Sequence, residues 1–465
     1  MTSRRSFLTH VLALSCLPGS ALAAPDRASP VAAVRWFERW LAAFNGPRLS
    51  QYAAFVRSHM PALVQFLDDD LGMREVSGGF VLLRQEQTGP DEITAWVRDR
   101  RWDRYSKVVL TAGDGRIDDL VFSGAPAPAD FRVMRLDEEA ALEALNRKLS
   151  TEADAGRFCG AVLVARGQEV LFQQAYGLTS VASAIRTSTG TRFCIGSMGK
   201  MFTAVAVLQL IQDGHLKLTD TLATLLPEYP NTRLARQVTV EHLLSHSGGT
   251  GDFFGEEYEK RKPELRRPSD YVRVFGRREA LFPPGSRWGY SNFGFMLLGA
   301  IIEQVSERNW ESLIKERVFD VSGMHATSSA AEASNTARPL VGARETGLRD
   351  LPFYDGSPAG GGYSTLGDLH RFGNALTDGR LLDAAGFTRL TEGTIQAGAA
   401  KWSRGLRVAQ RNGAPWYGHG GGAPGVNADF AIYPKSNYRT VVLANRGHPS
   451  ASNVADYIGA RLPYA

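Results

Sequence analysis

The sequence predicts a mixed α/β (α+β) protein with two domains: a small α+β domain, then an antiparallel sheet flanked by helices. Three observations support this prediction. The chain has 465 residues, which is too long for one ordinary domain. Its first part shows helical periodicity followed by short β-forming runs. Its second part has β-forming runs near both ends and helical patterns between them, which indicates one sheet built from both ends plus an all-helical subdomain.

The composition is typical of a globular protein and excludes bulk disorder. Hydrophobic residues make up 43% and charged residues 22% of the chain, and the formal net charge is +5. The basic residues are dispersed, and the densest stretch, residues 98–104, also contains Asp99 and Asp103. We therefore expect no nucleic-acid partner. The apolar segments are too short to predict a stable membrane span.

The first 23 residues have the pattern of an export signal. Arg4 and Arg5 precede a short apolar run over 7–17, and the letters ALA at 21–23 provide a cleavage site. The Arg pair in this setting resembles a twin-arginine signal; a general secretory signal with a chance Arg pair is the alternative. We expect a signal peptide over 1–23 and an exported protein, periplasmic or secreted.

Residues 28–123 are predicted to form the small α+β domain. Apolar residues at helical spacing predict helices over 30–45 and 50–66, and β-forming runs separated by turn residues follow between 80 and 122. The element order and the letters WLAAFN resemble the helical start of domains of the nuclear-transport-factor-2 and ketosteroid-isomerase type. Residues 124–136 begin with a Gly-, Ala- and Pro-rich stretch that predicts a linker.

Residues 137–465 are predicted to form the larger domain. We expect a helix over 137–150, a β-hairpin over 159–176, and strands at 430–434 and 440–444 before a last helix.

Cysteine usage predicts neither a disulfide framework nor a metal site. Cys16 lies in the signal segment, which leaves Cys159 and Cys194. Two cysteines in a large domain do not imply a disulfide, and a bond between them is left open. The cysteines and histidines do not have metal-ligand spacing, so we expect no metal and no cofactor.

Ser197 and Lys200 are the strongest candidates for catalytic residues. They stand three apart at the start of a long apolar helical pattern that ends at Gly214, so they share one helical face. A serine hydroxyl becomes a good nucleophile only when a nearby base takes its proton. A lysine serves as that base when burial or a neighbouring charge lowers its pKa. Free backbone N–H groups at the helix start suit a developing oxyanion.

Two further motifs provide partners for this pair. Tyr290 and Asn292 lie between a Pro/Gly loop and an apolar helical pattern. A tyrosine relays a proton once a nearby cation lowers its pKa, and Asn292 is suited to hold a substrate amide or the lysine. His419 opens the run HGGG and is expected to orient substrate or protons. Gly421 and Gly422 allow close backbone approach, with the Gly422 N–H as the second oxyanion donor.

Two other polar segments are assigned structural roles. Ser312 and Lys315 repeat the S-x-x-K spacing, but among charged residues in the middle of a helical pattern, which indicates a solvated helix face. His246 and Ser247 are expected to form a hydrogen-bonded loop.

Together the motifs resemble the serine β-lactamase and penicillin-binding-protein superfamily, in its class C-like and D,D-peptidase- or esterase-like branch. The resemblance covers residues 137–465, and S-x-x-K is one of the superfamily's elements. It also includes 218–222, 238–249, 320–324 and 359–369, which are similar to recurrent stretches of that family. It implies a β-lactamase-like fold with the site between sheet and helical subdomain, Ser197 as nucleophile, Lys200 as base and Tyr290 as proton relay.

Two departures from the family pattern bear on the substrate. The S-D-N element is missing, and His419-Gly420-Gly421 stands where the family has K-T-G. Histidine there resembles family D,D-peptidases, D-aminopeptidases and esterases more than class C β-lactamases, which keep a lysine. Histidine is only partly charged near neutral pH.

The motifs and their departures leave three functions open. The first is hydrolysis of a small ester or amide; the second is a β-lactamase or D,D-carboxypeptidase acting on cell-wall peptides. The third is a non-catalytic, penicillin-recognising binding module, against which the presence of Ser197, Lys200 and Tyr290 argues. The oligomeric state is not predicted.

Overall fold

A computed structural model describes residues 32–113, 115–331, 335–342 and 347–464. The chain divides into two compact units, 1–134 and 135–465. The predicted signal peptide over 1–23 and Cys16 lie outside the described residues. Among the helices of the described part, none has the length and apolar character needed to cross a bilayer.

The first unit is a layer of helices followed by a β-meander. Its elements are α1 (Ala32–Asn45), α2 (Leu49–His59), α3 (Leu67–Ser77), β1 (Phe80–Gln87), β2 (Glu92–Asp99), β3 (Tyr105–Gly113) and β4 (Arg116–Gly124). The strands pair antiparallel in chain order. Apolar side chains spaced three or four apart on α1, among them Phe37, Trp40 and Phe44, are buried in its core. The nuclear-transport-factor-2-like resemblance stays a prediction.

The predicted helix over 50–66 is wrong in its second half. α2 ends at His59, a 3₁₀ segment covers Pro61–Phe66, and α3 follows as a helix that the periodicity did not predict. Pro61 has no N–H to continue the α2 ladder, so the chain changes direction there. The acidic residues at 68–70 occupy the first turn of α3, where negative charge suits the helix dipole.

The second unit is built on an antiparallel sheet. Its strands are β5 (Gly160–Arg166), β6 (Glu169–Tyr176), β7 (Phe193–Cys194), β8 (Leu340–Val341), β9 (Arg349–Asp350), β10 (Tyr363–Ser364), β11 (Ile395–Ala397), β12 (Ala400–Trp402), β13 (Arg407–Arg411), β14 (Ala414–Ala423), β15 (Val426–Tyr433) and β16 (Tyr438–Ala444). Eight of these described strands form one sheet in the order β11-β12-β13-β14-β15-β16-β5-β6. Because β5 pairs with β16, both ends of this unit build the same sheet, which confirms the predicted fold class.

Helices flank this sheet and form a separate helical region. They are α4 (Glu138–Asp154), α5 (Gly199–Gln212), α6 (Leu222–Leu225), α7 (Thr232–Ala235), α8 (Val240–Leu244), α9 (Glu256–Arg261), α10 (Pro268–Phe275), α11 (Asn292–Ser306), α12 (Trp310–Ile314), α13 (Leu366–Thr377), α14 (Ala384–Thr391) and α15 (Ser450–Gly459). The run α6–α12 lies between α5 and β10, which is the position expected for the all-helical subdomain.

Two apolar helices, α5 and α11, form the centre of this unit. Both are buried almost all round and belong to one core cluster with the inner face of the sheet. Lys200 lies in the first turn of α5, and Asn292 is the first residue of α11. The packing of these two helices therefore sets the distance between the candidate site residues.

The sequence patterns did not predict strands β11–β13 or the strand that contains HGGG. His419, Gly421 and Gly422 lie within β14, which pairs with β15 from Tyr417↔Ile432 to Ala423↔Val426. Glycines carry no side chain, so they erase the alternation by which a strand is recognised. Cys159 and Cys194 are both buried free thiols, so no disulfide joins them.

Candidate active site

Ser197 lies in a tight turn that backbone hydrogen bonds fix in place. A 3₁₀ segment, Gly196–Met198, leads directly into α5. The Ile195 N–H donates to the Gly362 carbonyl at 3.1 Å, and the Gly361 N–H donates to the Gly196 carbonyl at 3.0 Å. Gly196 has φ +52°, a conformation that suits glycine. The glycine-rich stretch before β10 thus holds the turn that presents the hydroxyl.

Lys200 is buried beside Ser197 and has only neutral direct partners in the hydrogen bonds described. Its Nζ lies 3.4 Å from Ser197 Oγ, donates to Asn292 Oδ1 at 2.7 Å, and donates to the Ala359 carbonyl. Burial lowers the pKa of Lys200 to about 7, although the Asp252 carboxylate acts in the opposite direction. A neutral amine has two hydrogens, which satisfy Asn292 and Ala359, so its lone pair is left to face the Ser197 hydroxyl.

Tyr290 contacts both members of this pair, but its protonation differs from the expectation. A hydrogen bond links its phenol to the Ser197 side chain, and Lys200 Nζ lies 4.9 Å from the centre of its ring. We expected a nearby cation to lower the pKa of Tyr290. Burial instead raises that pKa above its ordinary value, and the Asp252 carboxylate adds to the effect. Tyr290 is therefore a protonated phenol at neutral pH.

Asn292 connects the lysine to a carboxylate that the sequence motifs did not identify. Its Oδ1 accepts from Lys200, and its Nδ2 donates to Asp252 Oδ2 at 2.7 Å. Because a carboxylate only accepts, the contact with Asp252 fixes the orientation of the amide. The chain Lys200–Asn292–Asp252 leads from the buried amine to an exposed carboxylate.

The stretch after His419 brings β14 against the turn that contains Ser197. A Cβ at Gly421 would overlap the Ile195 carbonyl oxygen, and a Cβ at Gly196 would lie 2.8 Å from the Gly422 nitrogen. Gly421 thus permits the close approach, and Gly422 places its backbone nitrogen beside the turn. The role of the Gly422 N–H as the second oxyanion donor stays a prediction.

His419 lies beside the lysine and is uncharged. It is buried, its Nδ1 lies 2.5 Å from the Gly420 carbonyl, and the Trp402 ring meets it edge-on at 5.3 Å. Burial, together with the charge of Lys200, lowers the pKa of His419 to about 3. The expectation of a partly charged histidine near neutral pH is therefore wrong, because the site is too poorly hydrated to hold the imidazolium.

A cluster of packed aromatic rings lies beside His419 and Tyr290 and includes His246. The His246 ring lies 4.4 Å from the Tyr290 ring and 5.1 Å from the Trp402 ring. Its Nδ1 accepts from the Ser291 N–H at 3.1 Å. Burial lowers the pKa of His246 well below its ordinary value. We expected this residue in a structural loop; the structure makes it the support of the Tyr290 turn.

The remaining candidate groups lie outside this cluster. Lys315 forms an exposed ion pair with Asp320, so the second S-x-x-K is a solvated helix face as expected. Across the described ranges, the structure contains no group of three or more His, Cys, Asp or Glu residues suited to a metal ion. Asp252 and Trp402 stand in no motif by which the sequence alone indicates a site.

With this geometry in place, comparison with known proteins decides the family. A family model described as beta-lactamase matches residues 142–463. The chain belongs to the beta-lactamase family. Penicillin-binding protein 4 of Amycolatopsis lactamdurans is 27% identical over 311 residues, which are 62% of this chain and 81% of that relative.

Solved structures agree with this assignment. The crystal structure of a penicillin-binding protein from Bacillus halodurans has a TM-score of 0.60 and 30% identity, and the match covers 67% of this chain and 99% of that one. A D-stereospecific amidohydrolase from Streptomyces sp. shares the fold, with a TM-score of 0.59, 24% identity, and coverage of 69% and 98%. The beta-lactamase-family region lies within the second unit.

The pKa of Lys200 predicts the pH dependence of any reaction that uses it as a base. The pKa is lowered to about 7, so the free amine predominates above pH 7 and falls to about one tenth at pH 6. We expect kcat/KM for a neutral ester to rise with pH and level off above about pH 8. His419 stays neutral over this range. Initial rates between pH 5.5 and 9 measure this, and a flat profile contradicts it.

Two neighbouring glycines of β14 form a matched pair for testing the close approach to the nucleophile turn. Gly421→Ala places a methyl group against the Ile195 carbonyl, whereas the nearest atom to a Cβ at Gly420 is 3.5 Å away. We expect Gly421→Ala to lower kcat by about 100-fold or more, the scale of losing an oxyanion donor. Gly420→Ala should retain activity within about threefold. Equal effects of the two substitutions would remove the packing argument.

Proposed function

We propose that this protein is an exported serine hydrolase that cleaves a small ester or amide through an acyl-enzyme on Ser197. The observation that carries the proposal is the buried Lys200 amine, which has a pKa of about 7 and lies 3.4 Å from the Ser197 hydroxyl. A free amine at that distance is the base that a serine nucleophile needs. The N-terminal signal pattern supports export to the periplasm or the medium.

Acylation begins when Ser197 Oγ attacks the substrate carbonyl carbon and its proton moves to the neutral Lys200 amine. The protonated Tyr290 phenol is hydrogen-bonded to Ser197, so it relays the proton towards the leaving oxygen or nitrogen. The C–O or C–N bond breaks, and the alcohol or amine departs with that proton. Lys200 restores the proton of Tyr290 and is neutral again.

The oxyanion formed in this step is held by the backbone N–H groups of Ser197 and Gly422. Water then attacks the ester on Ser197, with Lys200 accepting its proton, and Ser197 leaves as the hydroxyl while the carboxylic acid is released. Asn292 and His419 orient the substrate or the protons in both halves of the reaction. The cycle needs neither a metal nor an organic cofactor.

The neutral His419 favours a small ester or amide over a β-lactam or a peptide with a free carboxylate. At the position that corresponds to His419 by resemblance, class C β-lactamases keep a lysine. The permanent positive charge of that lysine binds the carboxylate of the substrate. With its pKa lowered to about 3, His419 offers no such charge at neutral pH.

The second candidate is a β-lactamase or D,D-carboxypeptidase acting on cell-wall peptides. The penicillin-binding protein 4 relative, at 27% identity, supports it. The third, a non-catalytic binding module, is disfavoured by the contacts among Ser197, Lys200 and Tyr290.

The chain offers its own control for a test of the nucleophile. Ser197→Ala is expected to abolish p-nitrophenyl butyrate hydrolysis by the mature protein, with a loss in kcat of at least 1,000-fold, on the order of that for removing the nucleophile of a catalytic unit. Ser312→Ala alters the second S-x-x-K, whose lysine pairs with Asp320, and should leave the rate unchanged. Release of p-nitrophenol at pH 8 is the measurement.

The outcomes separate the candidate functions. Turnover that survives in Ser197→Ala rejects the mechanism. An inert wild type that forms a stable adduct with a labelled penicillin favours the cell-wall alternative, and an inert wild type that binds penicillin without an adduct favours the binding module.

A further inference from the structure

Asp252 is an exposed charged residue that hydrogen-bonds to a residue of the candidate site. Its Oδ2 accepts from Asn292 Nδ2 at 2.7 Å, and Asn292 in turn accepts from Lys200. Burial has the larger effect on the pKa of both Lys200 and Tyr290; the carboxylate opposes it at Lys200, whose pKa is lowered, and adds to it at Tyr290, whose pKa is raised. Its field therefore reaches both groups beside Ser197.

The orientation of this carboxylate is fixed by its surroundings. Oδ1 accepts from the backbone N–H groups of Phe253 at 2.7 Å and Phe254 at 3.3 Å. The loop before it is held by Ser291, whose Oγ donates to the Gly251 carbonyl at 2.5 Å. Ser291 precedes Asn292, so the same turn that presents Asn292 also holds Asp252. A carboxylate fixed in this way interacts with a substrate without first losing side-chain freedom.

The neighbouring cations do not neutralise this carboxylate. The Arg278 guanidinium pairs with Glu257 and touches only the backbone carbonyl of Asp252. The Arg287 guanidinium lies over the Phe282 ring, 4.0 Å from its centre. Lys200 is separated from the carboxylate by the Asn292 amide and is half neutral at pH 7. The His419 and His246 side chains, which lie near Lys200, are neutral and add no positive charge.

We propose that Asp252 is a specificity-determining residue that selects substrates with a protonated amine close to the scissile carbonyl and rejects substrates with a carboxylate there. This inference rests on the proposed hydrolase function and narrows its substrate class. A fixed, exposed anion hydrogen-bonded to Asn292, with the neutral His419 imidazole in the position of a carboxylate-binding lysine, attracts a cation and repels an anion.

The test uses acyl groups of equal length and different charge. The probes are the p-nitroanilides of butyric acid, of D- and L-2-aminobutyric acid and of succinic acid, at pH 7.0, where an α-amine is mostly protonated. Butyrylthiocholine places the positive charge on the leaving group instead. Compared with the uncharged thioester S-butyl thiobutyrate, it tells on which side of the carbonyl the positive charge is recognised.

We expect the wild type to prefer the better aminobutyryl enantiomer over the succinyl anilide, or butyrylthiocholine over S-butyl thiobutyrate, by about tenfold or more in kcat/KM. Asp252→Asn should reduce this ratio to near one, mainly through the KM values of the charged anilides. Glu256→Gln removes an exposed carboxylate of α9 four residues along the chain and should leave the ratio unchanged.

Salt provides a measurement that needs no variant. Because Asp252 is exposed, the preference of the wild type should fall by at least half between 0.02 and 0.5 M NaCl, a range that shortens the Debye length from over 20 Å to about 4 Å.

A wild type that hydrolyses all the probes without a preference for positive charge overturns this inference and leaves the hydrolase function standing. A preference that persists in Asp252→Asn assigns the selection to another group and also overturns it. A wild type that hydrolyses p-nitrophenyl butyrate but none of these probes overturns this inference alone, whereas a wild type that is inert on p-nitrophenyl butyrate as well overturns the proposed function and this inference together.

Discussion

The site depends on keeping a lysine amine buried against neutral partners. An ammonium ion loses much of its hydration when it is buried, so the free amine gains relative weight and the pKa of Lys200 falls to about 7. The same poor hydration keeps His419 and His246 uncharged and Tyr290 protonated. One condition thus sets the protonation of four titratable groups, and the free amine of Lys200, the base of the proposed mechanism, is one result of it.

Asp252 moderates this condition from outside the buried region. A carboxylate in direct contact with Lys200 would stabilise the ammonium and remove the base. The Asn292 amide keeps the two charges apart while hydrogen-bonding to both. The arrangement leaves the lysine close to half protonated at neutral pH, which lets it both accept and return a proton.

Backbone atoms, rather than side chains, position the turn that contains Ser197. The stretch at 359–362 packs on one side of the Ser197 turn and β14 packs on the other, and glycine at 360 and 421 permits both approaches. Backbone N–H groups and carbonyls held in this way need little reorganisation during a reaction. This explains physically why the glycine-rich stretches accompany the S-x-x-K element.

Much of the site could be predicted from the sequence, because its determinants are local. Ser197 and Lys200 stand one helical turn apart, and the helical and strand periods identified the hairpin at 160–176, α5, α11 and the last strands. The order of the motifs indicated the family and therefore the fold. Elements without a local period were missed: β14, in which glycines replace the alternation, and α3, which follows the break at Pro61.

The sequence by itself determined which chemical groups are available and which of them share a helix face, since both depend on residues a few positions apart. Tertiary structure alone decided their protonation and their partners. Lys200 meets Asn292 and Ala359 across 92 and 159 residues of chain, and Asp252 and Trp402 join the site from segments that carry no motif. Burial and charge proximity are properties of packed three-dimensional neighbours, so the pKa values that make the site reactive arise only in the fold.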